Sequence, residues 1–248
     1  MEPRFVDCHS HVVPSGDDGA KTFEDGLALC DLAADAGTAI LFATPHVWPH
    51  YPLSEERERE VRRGFDRLAR RARLELRLGF ELTPAPPLLR EDPTRYVLEG
   101  TDVVLVEMPF VGPVSDLVEL AEHVERAGFT PLVAHPERTE AVREEPERAV
   151  EVAGRWPLQL NATSLVGYHG REIQELGWRL LEVASVVASD GHRMSRPARL
   201  DEAYELVQAT VGEEDALPLF DGSALRLRRS LATPTKEAMP ASPAWPSN

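Results

Sequence analysis

Lysine is almost missing from this sequence: Lys21 and Lys236 are the only two among 27 basic residues, against 42 Asp and Glu. The resulting formal charge of −15 repels polyanions and disfavours extended nucleic-acid binding unless a basic groove is concentrated locally. Cysteine is equally sparse. Cys8 and Cys30 permit one disulfide at most and no paired-thiolate zinc site, and neither begins a Cys-x5-Arg phosphatase loop. No apolar run approaches the length of a membrane span, and the start MEPRFVDCHSH lacks a charged segment followed by an apolar one. The expected compartment is a reducing cytoplasm. What remains, 248 residues with 42% hydrophobic and 28% charged, has the composition of a globular protein with one substantial core.

Seven short apolar runs recur: Phe5 to Asp7, Ala39 to Thr44, Leu76 to Glu81, Val103 to Glu107, Pro131 to His135, Leu158 to Asn161 and Val186 to Asp190. Each reads as a buried parallel strand. Between them lie helical stretches. The first opens at Thr22 with Asp25 completing a capping box and ends near Gly37, and the second follows Ser54. The arginines of the second helix pair at i,i+4 as Glu55–Arg59, Glu58–Arg62 and Asp66–Arg70, which describes a solvated helix better than a nucleic-acid patch. Further helices are expected at Ser115 to Ala127, Glu140 to Gly154, Gly167 to Val183 and Arg199 to Thr210. Strand–helix alternation throughout predicts one α/β domain over residues 1–231, a closed or nearly closed barrel. The Pro-rich segment 232–248 has no periodicity and is expected to be a flexible tail.

Polar residues collect where those strands end. Asp7, His9 and His11 alternate, so a persisting strand puts them on one face. The later strands run into His46, Glu81, Glu107, His135 and Asp190-Gly191-His192. Catalytic groups of α/β barrels gather at the carboxyl ends of strands, so residues spread over nearly the whole chain converge on one mouth. Several carboxylates there repel one another unless cations intervene. Imidazole with carboxylate suits zinc, manganese or iron, and so many ligands imply two or three ions with a bridging carboxylate. The loop from Pro14 to Gly19 either returns an acidic ligand or is a plain turn. Amidohydrolases also begin with H-x-H but often bridge their metals through a carbamylated lysine, and neither lysine here lies near a strand end.

The segments D-C-H-S-H-V-V-P-S-G-D-D-G-A-K-T from Asp7, A-T-P-H at Ala43, Gly79-Phe80-Glu81, L-V-E-M-P at Leu105, A-H-P-E-R at Ala134 and S-D-G-H at Ser189 resemble the polymerase-and-histidinol-phosphatase (PHP) superfamily. The resemblance is closest to its bacterial branch of manganese-dependent protein-tyrosine phosphatases, associated with capsule and exopolysaccharide synthesis, and covers about residues 5–230. It implies a distorted seven-stranded (β/α)7 barrel holding three divalent ions, manganese with iron or zinc as alternatives. One ion would take His9, His11, Glu81 and Asp190. Glu81 would bridge to a second held by Glu107 and His135, and a third would use Asp18, or Asp17, with His46 and His192. Phosphate-binding arginines correspond to Arg138 and Arg196, with Arg193 or Arg199 as substitutes for the latter.

The implied activity is a phosphomonoesterase in which a metal-activated hydroxide attacks phosphorus directly. The substrate would be a phosphotyrosine protein, such as the tail of a bacterial tyrosine kinase or another exopolysaccharide regulator. A metal-loop carboxylate or His50 could serve as general acid. Competing readings are a small-metabolite phosphatase, for instance for histidinol phosphate, and a metal-loaded module without turnover. Asn161 either hydrogen-bonds in the mouth or is structural, and Trp48, His50 and Tyr51 either form a substrate rim or cover the barrel end.

Overall fold

The computed structural model describes residues 5–227; Lys236 and the segment 232–248 lie outside them. All seven apolar runs are strands, and the alternation of strands and helices is that of an α/β protein with parallel pairing. The strands are β1 (Phe5–Ser10), β2 (Thr38–Ala43), β3 (His46–Val47), β4 (Glu75–Leu78), β5 (Glu81–Leu82), β6 (Val103–Glu107), β7 (Thr130–Ala134), β8 (Leu158–Asn161) and β9 (Val186–Ala188). They form two parallel sheets, ordered β1-β2-β4 and β3-β5-β6-β7-β8-β9.

Two short strands were not legible as separate elements. The run Leu76 to Glu81, expected as one strand, breaks at Gly79-Phe80 into β4 and β5, which belong to different sheets. A Cβ on Gly79 would fall 2.3 Å from Leu98 Cδ2 and 3.2 Å from Leu98 Cα, so a side chain there would have to displace the buried Leu98. Thr44-Pro45 likewise separates β2 from β3. At the far side, Asp190 N–H donates to His9 O at 2.9 Å and His11 N–H to Gly191 O at 2.7 Å, linking the ends of β1 and β9.

The helices cover one face of these strands. The chain forms α1 (Phe23–Asp35), α2 (Glu55–Ala69), α3 (Val114–Arg126), α4 (Glu140–Glu144), α5 (Glu147–Ala153), α6 (Ala162–Leu165), α7 (Arg171–Leu180), α8 (Asp201–Val211) and α9 (Glu213–Ala216). The capping box of α1 is present, with Thr22 Oγ1 accepting from Asp25 N–H and Asp25 accepting from Thr22 N–H. Ser54 caps α2. Of the three expected α2 pairs, Glu55–Arg59 and Glu58–Arg62 form, at 3.7 and 2.9 Å. The stretch Glu140 to Gly154, expected as one helix, splits at Pro146, whose ring disfavours helical backbone at Glu145 (φ −134°, ψ 85°).

Alternate strand residues face two apolar layers. Leu41, Val104, Val106, Val133, Leu158 and Val187 pack with the helical residues Leu29, Val61, Leu117 and Val207. On the opposite face Val6, Cys8, Phe42, Val103, Leu105, Leu132, Ala134, Val186 and Ala188 form a second layer without α-helical residues. Glu107, the last residue of β6, and Asp190, two residues past β9, continue the parity of that second layer, so the polar cluster sits directly over it. His9 and His11 have the opposite parity to Val6 and Cys8. They reach the cluster because the register between β1 and β2 shifts between Asp7 and Ser10, and such irregularity re-aims side chains.

Candidate metal centre

The first four predicted ligands meet around a point. Nε2 of His9 lies 3.1 Å from Nε2 of His11, 3.1 Å from Oε2 of Glu81 and 3.4 Å from Oδ1 of Asp190. Nε2 of His11 is 3.3 Å from the same glutamate oxygen and 3.5 Å from the same aspartate oxygen. All four side chains are buried. Asp7, expected on the same face, stays out of the cluster: its Oδ1 accepts from the N–H groups of His9 and Ser189 at 3.3 and 3.0 Å.

Glu81 is the hub. Its Oε1 contacts His135 Nε2 at 2.9 Å, and its Oε2 also contacts His46 Nδ1 at 2.9 Å. Glu107 receives a hydrogen bond from the Thr83 hydroxyl. It forms a compact set with His46 and Glu81, whereas the compact set containing His135 holds His9 and Glu81. The predicted trio of Glu81, Glu107 and His135 is therefore not one compact set: Glu81 belongs to both groups, but the imidazole beside Glu107 is that of His46. The third predicted set is also assembled, since Asp18 Oδ1 lies 3.4 Å from His46 Nε2 and 3.3 Å from His192 Nε2.

The two adjacent aspartates separate by geometry. Asp17 accepts from the N–H groups of Gly19 and His46 at 3.1 Å each and faces His11 Nδ1 at 3.4 Å, so it fastens the loop. Burial works against ionisation of Asp17, but the His11 contact and these amides hold its carboxyl well below the usual range. Asp18 is the one whose carboxylate turns to the mouth, with a side chain still 57% exposed.

The donor set fits divalent cations. Glu81 Oε2 and Asp190 Oδ1 are buried without a hydrogen-bond partner, as are His46 Nδ1 and His135 Nδ1. Burial and the neighbouring Glu81 carboxylate push Glu107 up to about 7. A buried constellation of this kind is costly with protons alone and is satisfied by positive ions between its imidazoles and carboxylates. Backbone strain marks the same place. His135 (φ 39°) and Asp190 (φ 51°), at the ends of β7 and β9, adopt the left-handed region that non-glycine residues avoid.

Arginines border the cluster. Asp190 Oδ2 accepts from Arg138 Nη1 at 2.8 Å and from Asn161 Nδ2 at 2.7 Å, and pairs with Arg196 Nη2. A turn pairing Arg193 with Arg196 brings Arg196 back over Asp190; Arg193 is exposed, and Arg199 pairs instead with Asp201. Arg196 Nε is buried without a partner, a donor available to an anion.

Two residues beside Asn161, Gln159 and Glu137, belong to the site without having been singled out in the sequence. Gln159 Oε1 accepts from His9 Nδ1 at 2.9 Å, and Gln159 Nε2 donates to Asn161 Oδ1 at 2.8 Å. Glu137, inside A-H-P-E-R, is buried and accepts from Asn161 N–H at 3.0 Å. The only signal for Gln159 was its place two residues before Asn161 on β8, and for Glu137 its place inside A-H-P-E-R. Of the expected rim, Trp48 stacks on His46 at 4.5 Å, and His50 lies one ring further out, 5.2 Å from Trp48. Tyr51 instead braces the loop: its hydroxyl donates to Ser15 O and its ring lies under Arg57.

Parallel strands with a histidine–carboxylate cluster at their carboxyl ends define a class of α/β metal-centre proteins. Within that class, the chain belongs to the capsular polysaccharide synthesis family CpsB/CapC, whose model matches residues 5–227. It is 27% identical to tyrosine-protein phosphatase YwqE of Bacillus subtilis, over 90% of this chain and 92% of that one. It is 29% identical to tyrosine-protein phosphatase CpsB of Streptococcus agalactiae, over 87% and 95% respectively. A crystal structure from work on YwqE of Bacillus subtilis and CpsB of Streptococcus pneumoniae, described as metal-dependent tyrosine phosphatases, superposes with a TM-score of 0.78. The identity is 27%, covering 86% of this chain and 90% of that one. An inactive dihydroorotase-like domain of Chaetomium thermophilum shares the fold at 10% identity and a TM-score of 0.58, covering 96% and 87% of the two chains. Lys21, the one lysine among the described residues, donates to the Asp17 carbonyl at 2.5 Å and takes no part in the cluster.

Proposed function

We propose that this protein is a metal-dependent phosphomonoesterase acting on phosphotyrosine in proteins, with the tail of a bacterial tyrosine kinase or a related exopolysaccharide regulator as substrate. The observation that carries the reading is the contact of Arg138 and Arg196 with one oxygen of Asp190, whose other oxygen faces His9 and His11. That contact puts two anion-binding groups at the edge of a cation site. The family and the named activities of the relatives support it.

In this reading the two sheets make a distorted seven-stranded barrel and residues 1–231 are one domain. Three ions, manganese by preference, would be held by His9, His11, Glu81 and Asp190; by Glu81, Glu107 and His135, with His46 alongside; and by Asp18, His46 and His192. When bound they supply Lewis acidity and an activated water at neutral pH. Glu81 belongs to both of the first two sets, and its carboxylate would tie them together. Arg138 and Arg196 hold the phosphoryl oxygens and neutralise charge that grows in the transition state. No side-chain nucleophile is needed, and Cys8 and Cys30 are buried free thiols, in keeping with a reducing compartment. A phenolate leaves readily, so no dedicated general acid is required.

Among the described residues no helix is long and apolar enough to cross a membrane. The test is hydrolysis of a phosphotyrosine peptide by the manganese-loaded protein, beside histidinol phosphate. Higher kcat/KM on the peptide, abolished in His135→Ala and Arg138→Ala, supports the proposal. Preference for histidinol phosphate moves the assignment to a metabolite phosphatase, and unchanged rates in both variants reject the mechanism.

A further inference from the structure

The loop leaving β6 carries an aromatic ring to the edge of the anion-binding corner. Phe110 lies between Pro109 and Pro113, and its carbonyl accepts from Glu140 N–H at 3.1 Å, tying the loop to the start of α4. Its ring stacks on His135, with centroids 5.5 Å apart and planes 17° from parallel. The guanidinium carbon of Arg138 stands 4.7 Å from the ring centre. Despite both contacts the side chain remains 39% exposed, so aromatic surface is left open to solvent beside a group that faces the cluster. Core packing does not account for a ring placed this way.

We infer that Phe110 is a specificity-determining residue: its free surface is the wall against which the ring of an aryl phosphoester lies while Arg138 and Arg196 hold the phosphoryl group. The inference rests on the phosphatase reading above and deepens it. A phosphoryl group on Arg138 brings its ester oxygen alongside Phe110, because the same guanidinium touches Asp190 and the ring. A phenyl leaving group gains an aromatic contact and buries apolar area there, and an alkyl leaving group has no ring to stack. Trp48, stacked on His46, presents a second ring beside the other oxygen of Glu81, but only Phe110 also carries an arginine of the site.

The test uses Phe110→Ala, Phe110→Leu and Phe110→Tyr in the full-length, manganese-loaded protein. Phenyl phosphate and ethyl phosphate are the substrates; phenylphosphonate and methylphosphonate are the binding probes. The alanine and leucine variants are expected to lose about tenfold in kcat/KM on phenyl phosphate, mainly through KM, with ethyl phosphate changed by no more than about twofold. Tyrosine restores the wild-type ratio, and phenylphosphonate affinity falls without loss of methylphosphonate binding. Equal losses on both esters would make Phe110 only a support for Arg138 and overturn the inference, as would no loss on phenyl phosphate. A wild-type protein that hydrolyses neither ester defeats the phosphatase reading, and the phenyl-to-methyl ratio of phosphonate binding then still decides the role of Phe110.

Discussion

Gln159 Oε1 lies 2.9 Å from Nδ1 of His9, and this contact fixes which nitrogen His9 turns to the cluster. The direction is set at the other end of a short chain. Asp190 Oδ2 can only accept, so Asn161 donates its amide N–H there; Asn161 Oδ1 then accepts from Gln159, and Gln159 Oε1 is left to accept from His9 Nδ1–H. Nε2 of His9 is therefore the free lone pair. Gln159→Leu removes the acceptor at near-constant volume and is expected to weaken manganese binding by about 10- to 100-fold, measured by titration of the metal-free protein. Unchanged affinity would show that packing alone orients His9.

Asp17 and Asp18 are neighbours with opposite duties. Asp18→Ala is expected to lower the number of ions per chain in elemental analysis while leaving the melting transition of the metal-free protein near that of wild type. Asp17→Ala strips partners from two amides and is expected to destabilise the metal-free protein by roughly 1 to 3 kcal/mol, measured by denaturant unfolding. The reverse pattern would exchange their roles.

The arginine readings separate by kinetics. Arg138→Ala and Arg196→Ala are each expected to lower kcat/KM on a phosphotyrosine peptide by about 100- to 1000-fold. Arg199→Ala, which breaks only the surface pair with Asp201, should leave it close to wild type. A large loss in Arg199→Ala would move the second anion contact to that residue.

Both thiols are buried, and burial together with the Asp31 charge pushes Cys30 up to about 12, while Cys8 is raised further by burial and Asp7. A raised thiol stays protonated and unreactive across neutral and mildly alkaline pH. Alkylation of the native protein by iodoacetamide is thus expected to stay negligible from pH 7 to 9, with activity retained, as read by mass spectrometry and a parallel assay. Rapid labelling with loss of activity would point to thiol chemistry.

The main strands and the mouth were legible because hydrophobic runs, and the polar residues ending them, are local signals. The structure brings the nine predicted ligands together with Arg138 and Arg196, of which Asp18 and the two arginines follow from the motif resemblance and not from a strand end. What stayed hidden depends on three-dimensional neighbours. The division of β4 from β5 at Gly79-Phe80 shows only in their pairing with different sheets, and the register shift that aims His9 and His11 exists only in the pairing of β1 with β2. Gln159 reads as an ordinary strand residue until His9, 150 positions away, is placed beside it. The choice of Asp18 over Asp17 required the Gly19 and His46 amides, and that of Arg196 over Arg199 required the turn from Arg193.

A metal centre around Glu81 that hydrolyses phosphotyrosine must depend on both the ion and the Glu81 carboxylate. Its most direct test is the initial rate on a phosphotyrosine peptide as manganese is returned to chelator-stripped protein, in wild type and in Glu81→Gln. The expected result is no turnover without metal, activity that saturates near three ions per chain in wild type, and none at any manganese concentration in Glu81→Gln. Turnover by the stripped protein, or full activity in Glu81→Gln, would contradict it.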